Sequence, residues 1–501
     1  MTKYAKCSEC GYVIAIPDDK NASDYVCPND GNTLTNATEA EFTAHLGGYN
    51  YLVEKLDSGG YRVVDHEGSV VFLESDPNHA ENAILYAINN LPSEGGKITL
   101  LPATYKLNFY ITKSEFLITL PDHTVFDGLV RGSTTLEFYI DGDTPPDHFN
   151  AMCLTSGSNC VIKNLTIDGK PSFFQPKNYL EYLIWCADDK ENILIENVNI
   201  LNSSRCGIVP ESENMIIRNV YAENCQNAMD GGQMKHIEVD GYRAKSCTNA
   251  FFKESHGGNG SNIILRNFRF EDCFTGFYAM AHLENVVVEE GKIELKGDYG
   301  SKGFHAAETN KAFTIKNVEI VTGTHGAAFY VRGEEIGDVV ISNCYCDGYQ
   351  AFWNTHDCII DGGNYSASYV FTVSAGNLLV KNAHLENTYR MFFDNVTNIH
   401  LENCILNSIA SDGTESNITY RRCTIADLPT ENSGTATIPN GSSNVTVNHG
   451  LAKAPEHGVR LTGTHSEVAN CWVTNVTDTQ FTINAPANVT ADRDVYWEAK
   501  V

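Results

Sequence analysis

Two acidic residues occupy neighbouring copies of a repeating phrase: Asp230 in Ala228-Met229-Asp230-Gly231-Gly232 and Glu254 in Phe252-Lys253-Glu254-Ser255-His256-Gly257-Gly258. Breaking a glycosidic bond by hydrolysis calls for one protonated carboxyl and one ionised carboxylate flanking the scissile oxygen. One turn of a stacked repeat between Asp230 and Glu254 suits the short separation of a retaining pair, and Glu254 with Glu308, two turns apart, suits the wider inverting geometry. His256, His305 and Arg332 are candidates to orient a substrate or tune those acids. The plain alternative for each of these side chains is a solvated surface role.

Beside the acids runs a series of aromatics. Aligning successive strands on a small residue (Gly207, Ala228, Ala250, Gly276, Gly303, Ala327, Ala351) puts an inward apolar residue next and an outward residue after it, by strand alternation. The outward set is Val209, Asp230, Phe252, Tyr278, His305, Phe329, Trp353, Phe371 and Phe392. Sugar rings present apolar C–H faces, so a stripe of rings at strand spacing can track a glycan. The same stripe would equally serve as a buried contact between subunits or under a loop.

The element that positions these residues is a repeat. From Asn159 onward an apolar strand, an asparagine and a second apolar pair return, as in Val161-Ile162-Lys163-Asn164-Leu165-Thr166-Ile167 and Ile193-Leu194-Ile195-Glu196-Asn197-Val198-Asn199-Ile200. Asn219, Asn267, Asn317, Asn343, Asn382 and Asn403 take the same place, with Asp240, Glu290, Gly362 and Arg422 in the other copies. Spacings of 19 to 27 residues, with one of 33 from Asn164 to Asn197, fit one turn of a three-sided β-solenoid. Asparagine tolerates the left-handed conformation of a sharp turn and can bond to its copy in the next turn, so the ladder is structural. The long interval carries Phe173, Phe174, Tyr179, Tyr182 and Trp185 and reads as an excursion that walls a groove or meets a neighbouring subunit. Cys225, Cys247 and Cys273 fall at matching places and read as stacked buried thiols rather than bridges.

Ahead of the repeat, Asp76-Pro77 offers an N-cap and a first-turn proline for one helix, with Ala80, Ala83, Ile84, Ala87, Ile88 and Leu91 on its apolar face. Gly95-Gly96 and the strand Leu101-Pro102-Ala103-Thr104-Tyr105 follow. This helix, double glycine and L-P-x-x-Y strand resemble the start of the pectate-lyase-like right-handed parallel β-helix superfamily, tailspikes of viruses included, although the usual glycine before Thr-Tyr is absent. The resemblance implies a polysaccharide as ligand, a helix covering the end of the solenoid, and a homotrimer. Asp230-Gly231 with His256-Gly257 is similar to polygalacturonase-type hydrolases, without their full acidic pair or terminal basic motif; a lyase of the same superfamily would instead use Arg332 or Lys253 as base with calcium held by carboxylates.

The first segment holds Cys7-Ser8-Glu9-Cys10-Gly11 and Cys27-Pro28-Asn29-Asp30-Gly31, which resemble the knuckles of a zinc ribbon or rubredoxin. That implies a structural zinc held by Cys7, Cys10, Cys27 and Asp30, the aspartate standing where the family has a fourth cysteine. After Thr430 the phrase gives way to alternating strands such as Asn444-Val445-Thr446-Val447 and Gln480-Phe481-Thr482-Ile483, an antiparallel sandwich. Val445 to Leu451 and the closing Val495 to Val501 are similar to C-terminal modules of viral and microbial surface fibres, which implies trimerisation or glycan contact.

The expected fold is all-β. A knuckle domain spans 1–47, a connecting hairpin 48–75, the β-helix with its helix 76–430 and the sandwich 431–501. A formal charge of -28 disfavours nucleic acid and anionic membranes as partners, and no apolar run suits a membrane span. Met1 to Cys7 has no apolar leader, so no signal peptide is expected, in keeping with a virion or extracellular surface protein made in the cytoplasm and attached through its N-terminal domain. The expected activity is polysaccharide depolymerisation, hydrolysis ahead of elimination. A glycan-binding adhesin and a structural coat or sheath protein are the alternatives.

Overall fold

The computed structural model describes residues 3–6, 13–16, 21–24, 33, 35–37, 49–108, 116–139, 150–170, 180–253, 259–280, 282–297, 300–307, 311–322, 326–336, 338–369, 372–390, 398–407, 418–455 and 458–501. They fall into two compact units, Met1–Lys296 and Gly297–Val501. Both units are built from parallel strands stacked turn on turn as a β-helix.

In the first unit one turn comprises Glu213–Arg218, Tyr221–Glu223 and Asn227–Gly231, and the next comprises Lys235–Asp240, Arg243–Lys245 and Asn249–Lys253. Each strand pairs in parallel with its copy one turn on: Ile195 with Ile217, Ile217 with Val239, and Val239 with Leu265. These four are fully or almost fully buried, so like stacks on like through the interior at the strand spacing of about 4.8 Å. A branched aliphatic in every turn of that column is what the repeated phrase encodes.

The asparagine corners adopt the expected geometry. Asn164, Asn197, Asn219, Asn267, Asn317, Asn343, Asn382 and Asn403 all have φ between 50° and 60°. Asn197 Nδ2 donates to Asn164 Oδ1 at 3.2 Å, and Asn403 Nδ2 to Asn382 Oδ1 at 3.2 Å. One position needs correction. The corner assigned to Asp240 belongs to Gly241, with φ of 70°, because Asp240 pairs with Arg218 and Arg266, the residues before Asn219 and Asn267. Asp240 nevertheless completes the ladder, its Oδ1 accepting from Asn267 Nδ2 at 2.7 Å. Asp361-Gly362 does the same, Gly362 having a φ of 76° and Asp361 accepting from Asn382 at 2.9 Å; Asp127 also accepts from Asn164, at 2.8 Å, but there Leu129 carries the positive φ, 63°. An Asp-Gly step thus replaces asparagine by dividing its two tasks, glycine turning the chain and aspartate accepting the amide.

The helix spans Ala80–Asn89, three residues after the proposed first turn, with His79 at its N-cap. Asp76 caps a preceding turn instead, its Oδ1 accepting from Asn78 N at 2.9 Å. The buried face includes Ala80, Ala83, Ile84, Ala87 and Ile88, and also Glu81, whose carboxylate accepts from Asn108 N at 2.9 Å and meets His79 Nδ1 at 2.7 Å. Strands Tyr51–Lys55, Tyr61–Asp65 and Val70–Glu74 form an antiparallel meander, and the first of them also pairs in parallel with Gly96–Leu100.

In the second unit the β-helix ends at Ile418–Arg421 and Thr424–Ile425, where Leu428–Pro429 folds back antiparallel. Two three-stranded antiparallel sheets follow: Glu431–Ile438, Arg493–Lys500 and Val459–Gly463 in one, Asn444–Asn448, Gln480–Asn484 and Trp472–Thr474 in the other. They meet through Phe481 and Trp497, ring centroids 5.4 Å apart edge to face, with His449 stacked on Phe481. Cys225, Cys247 and Cys273 are buried free thiols.

Candidate functional site

Five parallel strands of the first unit build one flank: Leu180–Cys186, Cys206–Pro210, Asn227–Gly231, Asn249–Lys253 and Thr275–Ala279. Their inward residues Ile184, Ile208, Met229, Phe251 and Phe277 are fully buried. Phe251 and Phe277 stack at 4.6 Å with planes 10° apart, a contact worth about 1 kcal/mol beyond its area. This locked interior fixes which residues face out.

The outward column is set by register. Trp185 pairs with Val209, Ile208 with Met229 so that Val209 lies beside Asp230, Asp230 with Phe252, and Phe252 with Tyr278. Trp185, Phe252 and Tyr278 are half-buried, and Phe252 meets Tyr278 edge to face at 5.1 Å. Trp185 packs against Tyr182 at 5.0 Å, and the Arg205 guanidinium lies 4.9 Å from the centre of the Tyr182 ring. Tyr182 and Trp185 therefore belong to a strand of the repeat and not to an excursion, whereas Phe173, Phe174 and Tyr179 lie outside the described residues.

Asp230 sits within this column but is only 5 % exposed. Its Oδ2 accepts from Asn227 Nδ2 at 2.7 Å and from the Cys206 thiol at 3.2 Å, and Asn227 Oδ1 in turn accepts from Asn249 Nδ2 at 2.7 Å. Three successive turns thus contribute to holding one carboxylate. Beyond it, Glu211 Oε1 accepts from Gly232 N at 3.0 Å. Cys206, Asn227 and Asn249 are absent from the sequence-based site because small polar residues at strand starts look like any other corner, and Glu211 because it follows a strand end among many acidic residues.

In the second unit His305 pairs with Tyr330, their rings 5.0 Å apart. Burial first, and then the Lys302 ammonium, push His305 down to about 3, so its ring is neutral at physiological pH. Phe329 faces the interior and is fully buried, so its assignment as an outward substrate-binding ring is corrected. The shift has a simple origin: Gly303 lies opposite Ala328, so the second of two adjacent alanines is the aligned small residue. The backbone of Arg332 pairs with that of Trp353. Lys253, a candidate base, is fully buried between Gly231 and Ala279, away from any polymer lying on the flank.

Glu254, His256 and Glu308 lie outside the described residues, as do Cys7, Cys10, Cys27 and Asp30. Among the described residues no group of three or more His, Cys, Asp or Glu side chains is arranged to hold a metal ion. No helix there is long and apolar enough to cross a membrane.

The fold is that of phage tailspikes. The chain superposes on a double mutant of the tailspike protein of E. coli bacteriophage HK620 in complex with pentasaccharide, with a TM-score of 0.50, 12% identity, and 96% of this chain and 98% of that one covered. The HK620 tailspike without those substitutions gives 0.48 at 11% identity, covering 97% and 99%. The tailspike gp49 of Pseudomonas phage LKA1 gives 0.38 at 15% identity over 73% and 67%. No protein-family model and no curated protein matches the sequence.

Proposed function

We propose that this chain is a tailspike-like protein that binds a surface polysaccharide along the flank carrying Trp185, Phe252 and Tyr278, and cleaves it with Asp230. The observation that carries this reading is a buried, hydrogen-bonded carboxylate set into a column of half-exposed rings. Rings at strand spacing suit the repeating C–H faces of a glycan, and a shielded carboxylate suits acid–base work at the bond between two sugars. Glu254 is the proposed second acid, with Glu308 the wider alternative and His256 an orienting group. Hydrolysis is favoured over elimination because Lys253 is buried; Arg332 remains the base of an eliminating reaction, with calcium as its cofactor.

The remaining assignments go with this role: a homotrimer, carried on a virion, with an N-terminal domain stapled by zinc through Cys7, Cys10, Cys27 and Asp30 and serving as attachment. One zinc per chain, lost in Cys27→Ser, is the expected metal content; a wild-type protein without zinc would remove that assignment. Activity is tested by reducing-end release and ultraviolet absorbance on a panel of bacterial and archaeal surface polysaccharides. New reducing ends that vanish in Asp230→Asn and in Glu254→Gln support hydrolysis, and an unsaturated product signals a lyase. Binding without cleavage by the wild type favours the adhesin.

A further inference from the structure

Cys225, Cys247 and Cys273 take no part in the proposed reaction, yet each lies two residues before one of the strands Asn227–Gly231, Asn249–Lys253 and Thr275–Ala279 that carry Asp230, Phe252 and Tyr278. Register sets them in one file. Three residues before them Ala222 pairs with Ala244 and Ala244 with Phe270, and two residues after them Asn227 pairs with Asn249 and Asn249 with Thr275. Thr248 N donates to Cys225 O at 3.2 Å and Phe274 N to Cys247 O at 3.1 Å, so neighbouring cysteines stand one strand spacing apart, about 4.8 Å. All three are buried, and their thiols turn the same way. Each donates to the carbonyl two residues before it: Glu223 O at 3.5 Å, Lys245 O at 3.2 Å and Glu271 O at 3.4 Å. The flanking Cys225 and Cys273 thiols are also hydrogen-bonded with the middle one, Cys247.

That spacing decides what chemistry the file can hold. A disulfide needs Cβ atoms about 3.8 Å apart, closer than paired turns stand. An ion that takes three or four ligands needs them around a point, and three sulfurs in a file surround none, in keeping with the absence of such a group among the described residues. A soft ion held by two thiolates on opposite sides has a different requirement. Two metal–sulfur bonds of about 2.3 Å laid end to end span about 4.6 Å, close to the distance from one turn to the next. We propose that this file binds one monovalent soft ion, copper(I), between Cys247 and either Cys225 or Cys273. Thiolate sulfur is the ligand such an ion selects. On binding, two S–H bonds break and two S–Cu bonds form, both protons passing to solvent. The two places share Cys247, so the file holds one ion and not two, and that ion staples adjacent turns behind the outer column of rings. The site is independent of the reading that the protein binds a glycan.

The test is anaerobic titration of the full chain with copper(I) against a chromophoric copper(I) chelator, which reads the number of ions held per chain. Each variant is compared with the wild type, so that copper bound by other cysteines cancels. Cys247→Ala is expected to hold one copper fewer than the wild type, because Cys225 and Cys273 then lie two turns apart. Cys225→Ala and Cys273→Ala are each expected to hold as many as the wild type, since a pair with Cys247 survives, and the double variant Cys225→Ala/Cys273→Ala to hold one fewer. Melting curves check that the variants fold, and the double variant carries the test should Cys247→Ala fail to. A copper lost on every single substitution would show a three-thiolate site and overturn the two-coordinate assignment. Equal numbers in all variants would overturn the site altogether and leave the thiols as core packing.

Discussion

Asp230 and His305 are both buried, yet held for different purposes. Asp230 is gripped by Asn227 and Cys206 from two turns, so Asp230→Asn retains the shape while removing the charge. We expect it to lower cleavage by 100-fold or more with binding changed less than three-fold, measured as turnover and as affinity on the same polysaccharide. Cys206→Ala removes one donor, and a shifted pH profile of cleavage, rather than a weaker affinity, is its expected signature. For His305 the sign follows from linkage. The folded value of about 3 lies below the unfolded value near ~6.5, so the stability it contributes is complete above ~6.5 and is lost as pH falls from there toward 3. His305→Gln is therefore expected to flatten the fall of the melting midpoint across that window; an unchanged slope would show that the ring titrates normally.

Among the elements, the corners of the β-helix and the helix Ala80–Asn89 carry the clearest energetic consequences. Asp240→Ala deprives the Asn267 amide of its acceptor and is expected to cost about 1 kcal/mol, seen as a lower unfolding midpoint, with Asp240→Asn largely restoring it. At the helix, burial holds the Glu81 carboxyl above its ordinary range. The folded state then favours the proton, so this contribution is complete below the unfolded value of ~4.3 and lost as pH rises through the folded one. Glu81→Gln keeps an acceptor for Asn108 and is expected to raise the melting midpoint at pH 8 and leave it little changed at pH 4. These elements also show what was legible in the sequence. Asparagine corners were readable because few residue types accept φ near +55°. Asp240-Gly241 was misread by one place because the division of labour between two residues leaves no single-letter mark. Phe329 was misplaced because Ala327 and Ala328 offer two alignments, and only pairing with Gly303 decides between them. The helix start was misread because Asp76 serves a turn before it.

At the scale of the molecule, an all-β chain of stacked turns with a small antiparallel module after it has no need of one large pocket. The charge of -28 makes a prediction here: affinity for a neutral glycan should be nearly constant from low to high salt, whereas the association rate of an acidic one should rise as salt screens the long-range repulsion. The aromatic column was visible in the sequence as a periodicity; its depth was not. Burial of Asp230 and the place of Trp185 depend on which turns lie side by side, and that follows from register across long separations. The central claim is that the outer column of rings binds polysaccharide. Its most direct test is the affinity of wild type and of Phe252→Ala/Tyr278→Ala for a panel of surface polysaccharides, measured together with their melting curves. We predict that at least one polysaccharide binds the wild type and that the double variant, still folded, binds it at least ten-fold more weakly. Equal affinity in a folded variant, or no polysaccharide bound by the wild type, would contradict the account.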